Sequence, residues 1–130
     1  MRIHSGVIIV AFWGALLLSR VPWAVQPLLA ENRVGKEIFE KRCTGCHALD
    51  HEKTGPRLRG VYGRWAASVS SFVYSGPLRK SGVRWDATSL DKWLTDPDGF
   101  VPDNDMAFRV ANKEERAAVI EYLKEVSSPR

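Results

Sequence analysis

The chain of 130 residues has room for one small domain, and its only two cysteines, Cys43 and Cys46, sit in a single motif, leaving none for a structural disulfide elsewhere. Nineteen basic against fifteen acidic residues give a formal charge of +4; residues 1–30 hold Arg2 and Arg20 and no acid, so the remainder carries only +2. That excess is too small to support a nucleic-acid-binding reading.

The chain opens with a short basic start, Met1 to Ser5 with Arg2, followed by an apolar run of thirteen residues from Gly6 to Leu18. A cut after Ala30 leaves a mature start at Glu31, which completes the secretory pattern of basic start, short apolar core and cleavage region. The apolar stretch from Ile3 to Ser19 is seventeen residues, at the lower limit for a membrane span of about 20 residues. An uncleaved anchor is therefore the alternative, favoured only by Leu28, an imperfect residue at the third position before the cut. The expected organisation is a signal peptide over 1–30 and one domain over 31–130.

Asn32 to about Arg42 places Val34, Ile38 and Phe39 on a common face and predicts an amphipathic helix. It runs into Cys43-Thr44-Gly45-Cys46-His47, a C-x-x-C-H sequence, the attachment signature of c-type haem. Two thiols three residues apart in a turn of helical character can bond the two vinyl groups along one side of a porphyrin. The following histidine then lies beneath the ring with its imidazole available to iron. A thioredoxin-like redox pair would need a βαβ context, and no run of alternating or β-branched residues supplies one. A structural zinc site would need four ligands, and the one further candidate nearby is His51, which reads instead as a solvated loop residue.

Thr54 to Arg64, with Gly55, Pro56, Gly60 and Gly63, predicts an irregular loop, and Ser75 to Ser81 one short helical turn. Asp86 to Thr95 predicts a helix capped by Asp86 and packed through Leu90, Trp93 and Leu94; Asp96-Pro97 ends it, because the residue before proline is driven out of the α region. Gly99 to Phe108 is rich in turn formers and carries Met106, the one methionine besides the initiator. A lone methionine is more often core filler than a ligand. Met106 follows a proline on a loop without the spacing of a core stripe, and a thioether opposite histidine raises the reduction potential of haem iron. Asn112 to Val126 predicts the strongest helix: Asn112 caps it, Glu115 sits at the capping-box position, and Val119, Tyr122, Leu123 and Val126 share a face. Ser127 to Arg130 is expected to fray. No strand and no internal repeat are expected.

Taken in order, residues 33–126 resemble a class I cytochrome c of the mitochondrial and bacterial soluble type. The resemblance implies an all-α small cytochrome c fold, helices and loops wrapped around one haem c held covalently by Cys43 and Cys46, with His47 and Met106 as iron ligands. It places Gly35 and Phe39 where the first helix crosses the last, against Val119 and Tyr122; glycine there permits close backbone approach. Gly55-Pro56-Arg57-Leu58-Arg59-Gly60 matches the loop whose proline carbonyl accepts a bond from the axial imidazole, so Pro56 would orient His47. Arg64, Tyr74 and Trp85 match positions that bond or shield the haem propionates, and Trp93 an aromatic beside the sulfur ligand. Pro97, Phe100, Pro102, Met106 and Phe108 match the methionine loop. Since haem is mostly apolar surface, Trp85, Trp93 and Phe108 are expected near it for packing whatever else they do. Trp65 has no counterpart and is expected at the surface.

The implied function is one-electron transport between periplasmic or membrane redox partners of an exported bacterial protein: a reductase, a dehydrogenase or a terminal oxidase. The chain is expected to be a monomer and not an enzyme, without nucleic-acid contact, meeting a membrane only through partners or an uncleaved anchor. The alternative is a haem enzyme or gas sensor in which the sixth iron position is open. Two features depart from the family pattern. The loop between His47 and Pro56 is shorter than in the mitochondrial type, and Asp103-Asn104-Asp105 follows Pro102 where the family commonly has glycine in a lysine-rich loop. Asp103 is expected to hold an unusual backbone conformation less cheaply than glycine. Arg57, Arg59, Arg64, Arg79, Lys80 and Arg84 precede a segment with Asp96, Asp98, Asp103 and Asp105 and no base between Lys92 and Arg109, which predicts an electrical polarity around the site.

Overall fold

A computed structural model of the protein describes residues 26–129; most of the expected leader and the final Arg130 lie outside the described residues. Five helices follow one another: α1 (Gln26–Arg42), α2 (Gly76–Lys80), α3 (Ala87–Thr95), α4 (Pro97–Phe100) and α5 (Lys113–Glu125). Among the described residues the sole sheet-like element is an isolated antiparallel bridge between Trp65 and Arg84, so the fold is all-α as expected. No described helix is long and apolar enough to cross a membrane.

Helix α1 starts at Gln26, earlier than the expected Asn32, and runs across the Ala30–Glu31 boundary. The packed face also differs from the periodicity reading. Phe39 is buried and Ile38 half-buried, but Val34 is half exposed, and the seam passes through Gly35 instead. A Cβ built on Gly35 would lie 2.2 Å from the Ala118 carbonyl oxygen and 2.8 Å from Tyr122 Cβ. Helix α1 thus rests on the backbone of α5, and the Phe39 and Tyr122 rings meet at 5.4 Å beside that contact.

Asn112 caps α5 by accepting the Glu115 amide at 2.8 Å. Glu115 does not return the capping-box bond; its carboxylate reaches Arg42 at 2.8 Å and joins the C-terminal end of α1 to the first turn of α5. Both charges suit the helix ends they occupy. The expected fraying of the tail fails at Ser127, whose hydroxyl donates to the Leu123 carbonyl at 2.6 Å and accepts the Tyr62 amide at 3.1 Å.

In α3 the capping box is complete: Asp86 accepts the Ser89 amide at 2.8 Å, and Ser89 Oγ accepts the Asp86 amide at 2.8 Å. Leu90, Trp93 and Leu94 are buried as their spacing predicts. Asp96 does end α3, but the chain restarts at once as α4, with Pro97 in its first turn and the Asp96 carboxylate accepting the Gly99 amide at 3.2 Å. A proline that cannot continue one helix is suited to begin the next.

Substituting Gly35→Ala forces α1 off α5 and is expected to cost about 1–3 kcal/mol, typical of overpacking a tight contact. Guanidinium unfolding of the holoprotein measures it as a lower midpoint with little change in slope.

Candidate functional site

The last turn of α1 unrolls into the cysteine motif. The Cys43 amide still donates to the Phe39 carbonyl at 2.9 Å, and the Cys46 and His47 amides both turn back to the Cys43 carbonyl, at 3.1 and 2.8 Å. Thr44 Oγ1 donates to the Glu40 carbonyl at 2.6 Å, and Lys53 Nζ donates to the Thr44 carbonyl. This turn puts Cys43, Cys46 and His47 on the wall of one cavity of about 600 Å³, within the range of small-molecule and cofactor sites.

His47 is held from two sides. Its Nδ1 lies 2.7 Å from the Pro56 carbonyl oxygen. A carbonyl only accepts, so Nδ1 carries the proton and the Nε2 lone pair is left for a metal. Gly55 lies flat against the ring: a Cβ there would stand 2.3 Å from His47 Cε1. Burial lowers the His47 pKa, aided by the Arg64 and Lys53 charges and opposed by the Pro56 bond. The neutral imidazole, the form that ligates, is therefore favoured. The Cys43 thiol is pushed up to about 11, first by burial, with Arg42 opposing. A redox-active C-x-x-C pair needs the opposite shift, toward thiolate. No group of three or more His, Cys, Asp or Glu side chains placed to hold a metal ion occurs among the described residues, and His51 is exposed and does not line the cavity.

Met106 reaches the same cavity from the other sequence half. Trp93 Nε1–H donates to its sulfur at 3.1 Å. Asn104 fixes the backbone beside it, accepting the Met106 amide at 2.7 Å while donating to the Val101 carbonyl at 2.9 Å. Asp103 takes φ +60°, the left-handed conformation expected to suit glycine better, and its amide donates to Asp98 Oδ1 at 3.2 Å. Asn104 was missed in the sequence, although a side-chain amide that mimics a backbone turn two residues before a loop methionine is a recognisable signal.

Arg64, Tyr74, Trp85, Trp93 and Phe108 all line the cavity, as does Pro56. Trp85 and Trp93 meet edge to face at 5.4 Å. Arg64 donates to the Arg57 carbonyl at 2.7 Å and the Arg59 carbonyl at 3.2 Å, which turns a guanidinium toward the cavity wall. Burial lowers its pKa and raises that of Tyr74. Phe108 remains 43% exposed at the cavity margin, so it is less enclosed than the two tryptophans. Trp65 is 57% exposed, as expected, with the Arg84 guanidinium 5.8 Å above its ring. The helix faces read only as core, Leu90 and Leu94 on α3 and Val119 and Leu123 on α5, line the cavity as well.

Two thiols of a C-x-x-C turn on the cavity wall, a neutral imidazole with a free Nε2, a thioether and an apolar wall form a donor set that fits haem c. The cytochrome c family model matches residues 33–127. Cytochrome c2 iso-2 of Magnetospirillum fulvum is 46% identical over 85 residues, 63% of this chain and 88% of that protein. Cytochrome c 2.1 of Caenorhabditis elegans is 39% identical over 93 residues, 69% of this chain and 84% of that protein. Among solved structures, cytochrome cH from Methylobacterium extorquens superposes with a TM-score of 0.69 at 33% identity, covering 72% of this chain and 97% of that one. The chain belongs to the cytochrome c family: it is a class I c-type cytochrome, an electron carrier with haem c bound covalently through Cys43 and Cys46.

The strained Asp103 gives a direct test of the methionine loop. Asp103→Gly removes the Cβ clash of the left-handed conformation, and a gain of up to about 1 kcal/mol is expected in denaturant unfolding. An equal or lower midpoint would show that the flexibility added to the unfolded chain outweighs the relief.

Proposed function

We propose that His47 and Met106 are the two axial iron ligands, and that the protein moves single electrons between redox proteins of a bacterial periplasm without acting on a substrate of its own. The observation that carries this reading is that both donors line one cavity and each has its orientation set by a further bond: His47 through the Pro56 carbonyl, Met106 through the Trp93 indole. When bound, haem c supplies the ferric–ferrous couple. Cys43 and Cys46 would anchor it, Trp85, Trp93 and Phe108 would pack against it, and Arg64 and Tyr74 would serve its propionates. A site with both axial positions filled from the chain favours electron transfer over activation of oxygen.

Export rests on the leader pattern over residues 1–30. Cleavage after Ala30 leaves Glu31–Arg42 of α1, which retains Gly35 and Phe39 and therefore the crossing with α5. Partners such as a reductase, a dehydrogenase or a terminal oxidase would dock a monomer transiently over a small interface. Of the polarity expected from the sequence, the basic side is partly offset, since Arg57 pairs with Glu52 and Arg59 with Asp50. Asp98, Asp103 and Asp105 enter no ion pair among the described residues, which supports steering by the acidic side.

Optical spectra of the exported holoprotein test the ligand assignment. Low-spin spectra with the weak methionine-to-ferric-iron band, unchanged by carbon monoxide, are expected. A high-spin iron that takes carbon monoxide would replace this reading with an enzyme or sensor. Met106→Ala should delete the band and admit carbon monoxide. Trp93→Phe should keep the band and lower the reduction potential, because a donor on sulfur withdraws electron density and disfavours the ferric state; a potential that stays the same would show that the indole bond is not kept in the holoprotein.

A further inference from the structure

Arg116 is the sole buried charged residue among the described residues, although it lies on α5 within a run whose neighbours are ordinary core. Its guanidinium is held through two of its nitrogens. Nη1 donates to the Val110 carbonyl at 2.9 Å and to the Ala111 carbonyl at 3.0 Å, and Nε donates to Asp91 Oδ1 on α3 at 2.8 Å. Val110 has no exposed surface, and its amide donates to the Leu94 carbonyl, also on α3, at 2.8 Å. Arg116 therefore ties α5, α3 and the limb of chain that descends from Met106 into one joint. Trp93, which holds the Met106 sulfur, stands on the same α3 two residues beyond Asp91.

The two limbs of the methionine loop are secured differently. Before Met106, Asn104 and Asp98 make short local bonds within the loop. After Met106, residues Ala107, Phe108 and Arg109 are all exposed, and the Arg109–Asp96 pair at 2.6 Å joins side chains that are each about half exposed. An exposed pair of that kind adds little. The limb is thus held from below, by Val110 and by the charge-assisted bonds from Arg116, which are stronger than neutral ones.

We propose that Arg116 is a positioning residue for Met106: its clamp on the Val110 and Ala111 carbonyls sets how often the descending limb opens and takes the methionine sulfur away from iron. The proposal rests on Met106 being the sixth ligand. Removing the guanidinium leaves two carbonyls and one carboxylate without their donor, and local opening to water then satisfies them. The open fraction governs the apparent affinity of any competing ligand for the sixth position, because such a ligand binds only the open form.

Imidazole binding to the ferric holoprotein reads that fraction directly. In Arg116→Met, imidazole should bind roughly tenfold or more tightly than in the parent, and Arg116→Lys, which retains a charge but not the fork, should fall between. Amide hydrogen exchange at Met106 and Val110, whose amides are hydrogen-bonded, should accelerate in parallel. Asp91→Asn removes one anchor of the clamp and should move both readouts in the same direction by less, which keeps the test available if Arg116→Met does not assemble. Val69→Ala provides the comparison, since Val69 is buried but neither lines the cavity nor lies on α3 or α5. Imidazole affinity that is unchanged in Arg116→Lys and Asp91→Asn would overturn the proposal, as would an equal rise in Val69→Ala, which would assign the effect to global stability. A parent protein lacking the methionine-to-iron band would instead overturn the ligand assignment itself, an outcome visible before any variant is made.

Discussion

The missing side chain at Gly35 sets the height of α1 above α5, and the cavity is built outward from that contact. With the Ala118 carbonyl only 2.2 Å from where a Cβ would stand, the two helices are in backbone contact rather than separated by a layer of side chains. The C-terminal end of α1 is then delivered to a fixed place, tied there by Arg42 and Glu115. Cys43, one residue further, inherits that position. The partner helix supplies Val119 and Leu123 to the cavity wall from the same crossing, so attachment point and wall share one frame. A close-packed interior transmits such constraints because it has little slack.

Polar side chains near the cavity follow one rule, that each is held by named partners. His47 gives its Nδ1 proton to Pro56, Trp93 gives its indole proton to the Met106 sulfur, and Arg64 gives one bond from each Nη nitrogen to a backbone carbonyl. No buried side-chain nitrogen or oxygen is left without a hydrogen bond among the described residues. Leaving such a group unpaired would cost about 1–3 kcal/mol. The rule also orients the chemistry. Burial lowers the His47 pKa and raises that of Cys43, and both shifts favour neutral side chains in a low-dielectric wall. Neutrality serves the two residues differently: it keeps the imidazole lone pair available, and it withholds from Cys43 the thiolate character of a redox pair.

What could be read from the sequence was chiefly what is local. The cysteine motif, the Asp86 and Asn112 caps and the apolar spacing of α3 depend on residues within one or two turns, and each stands where its pattern places it. The clearest misreadings are cases in which a distant partner outcompeted a local one. Glu115 abandons its own capping box for Arg42, 73 residues away, and Ser127 is kept from fraying by Tyr62, 65 residues away. Val34 fits the helical period of α1, yet the seam chose glycine, because a periodicity argument scores hydrophobicity while a close crossing rewards the absence of a side chain. Arg116 was invisible for a related reason. A charged residue on an amphipathic helix reads as solvent-facing, and only the three-dimensional return of Val110 and Ala111 supplies the acceptors that bury it.

The aspartates before Met106 admit a similar resolution between local and surface roles. Asp96 caps α4 and pairs with Arg109, and Asp98 accepts the amide of Asp103, whose own backbone takes the left-handed turn. Asp and Asn are the side chains best able to bond nearby backbone and to tolerate that region. A loop that turns without glycine at this point therefore selects acidic and amide residues for conformational reasons alone. Their charge is a consequence that the surface must carry. Asp96 is offset by Arg109, whereas Asp98, Asp103 and Asp105 enter no ion pair among the described residues, and Asp105 makes no hydrogen bond among them that would explain it as a turn device. Loop chemistry thus accounts for Asp96, Asp98 and Asp103, and it leaves Asp105, an exposed residue at the cavity margin, as the acidic position that no backbone bond explains.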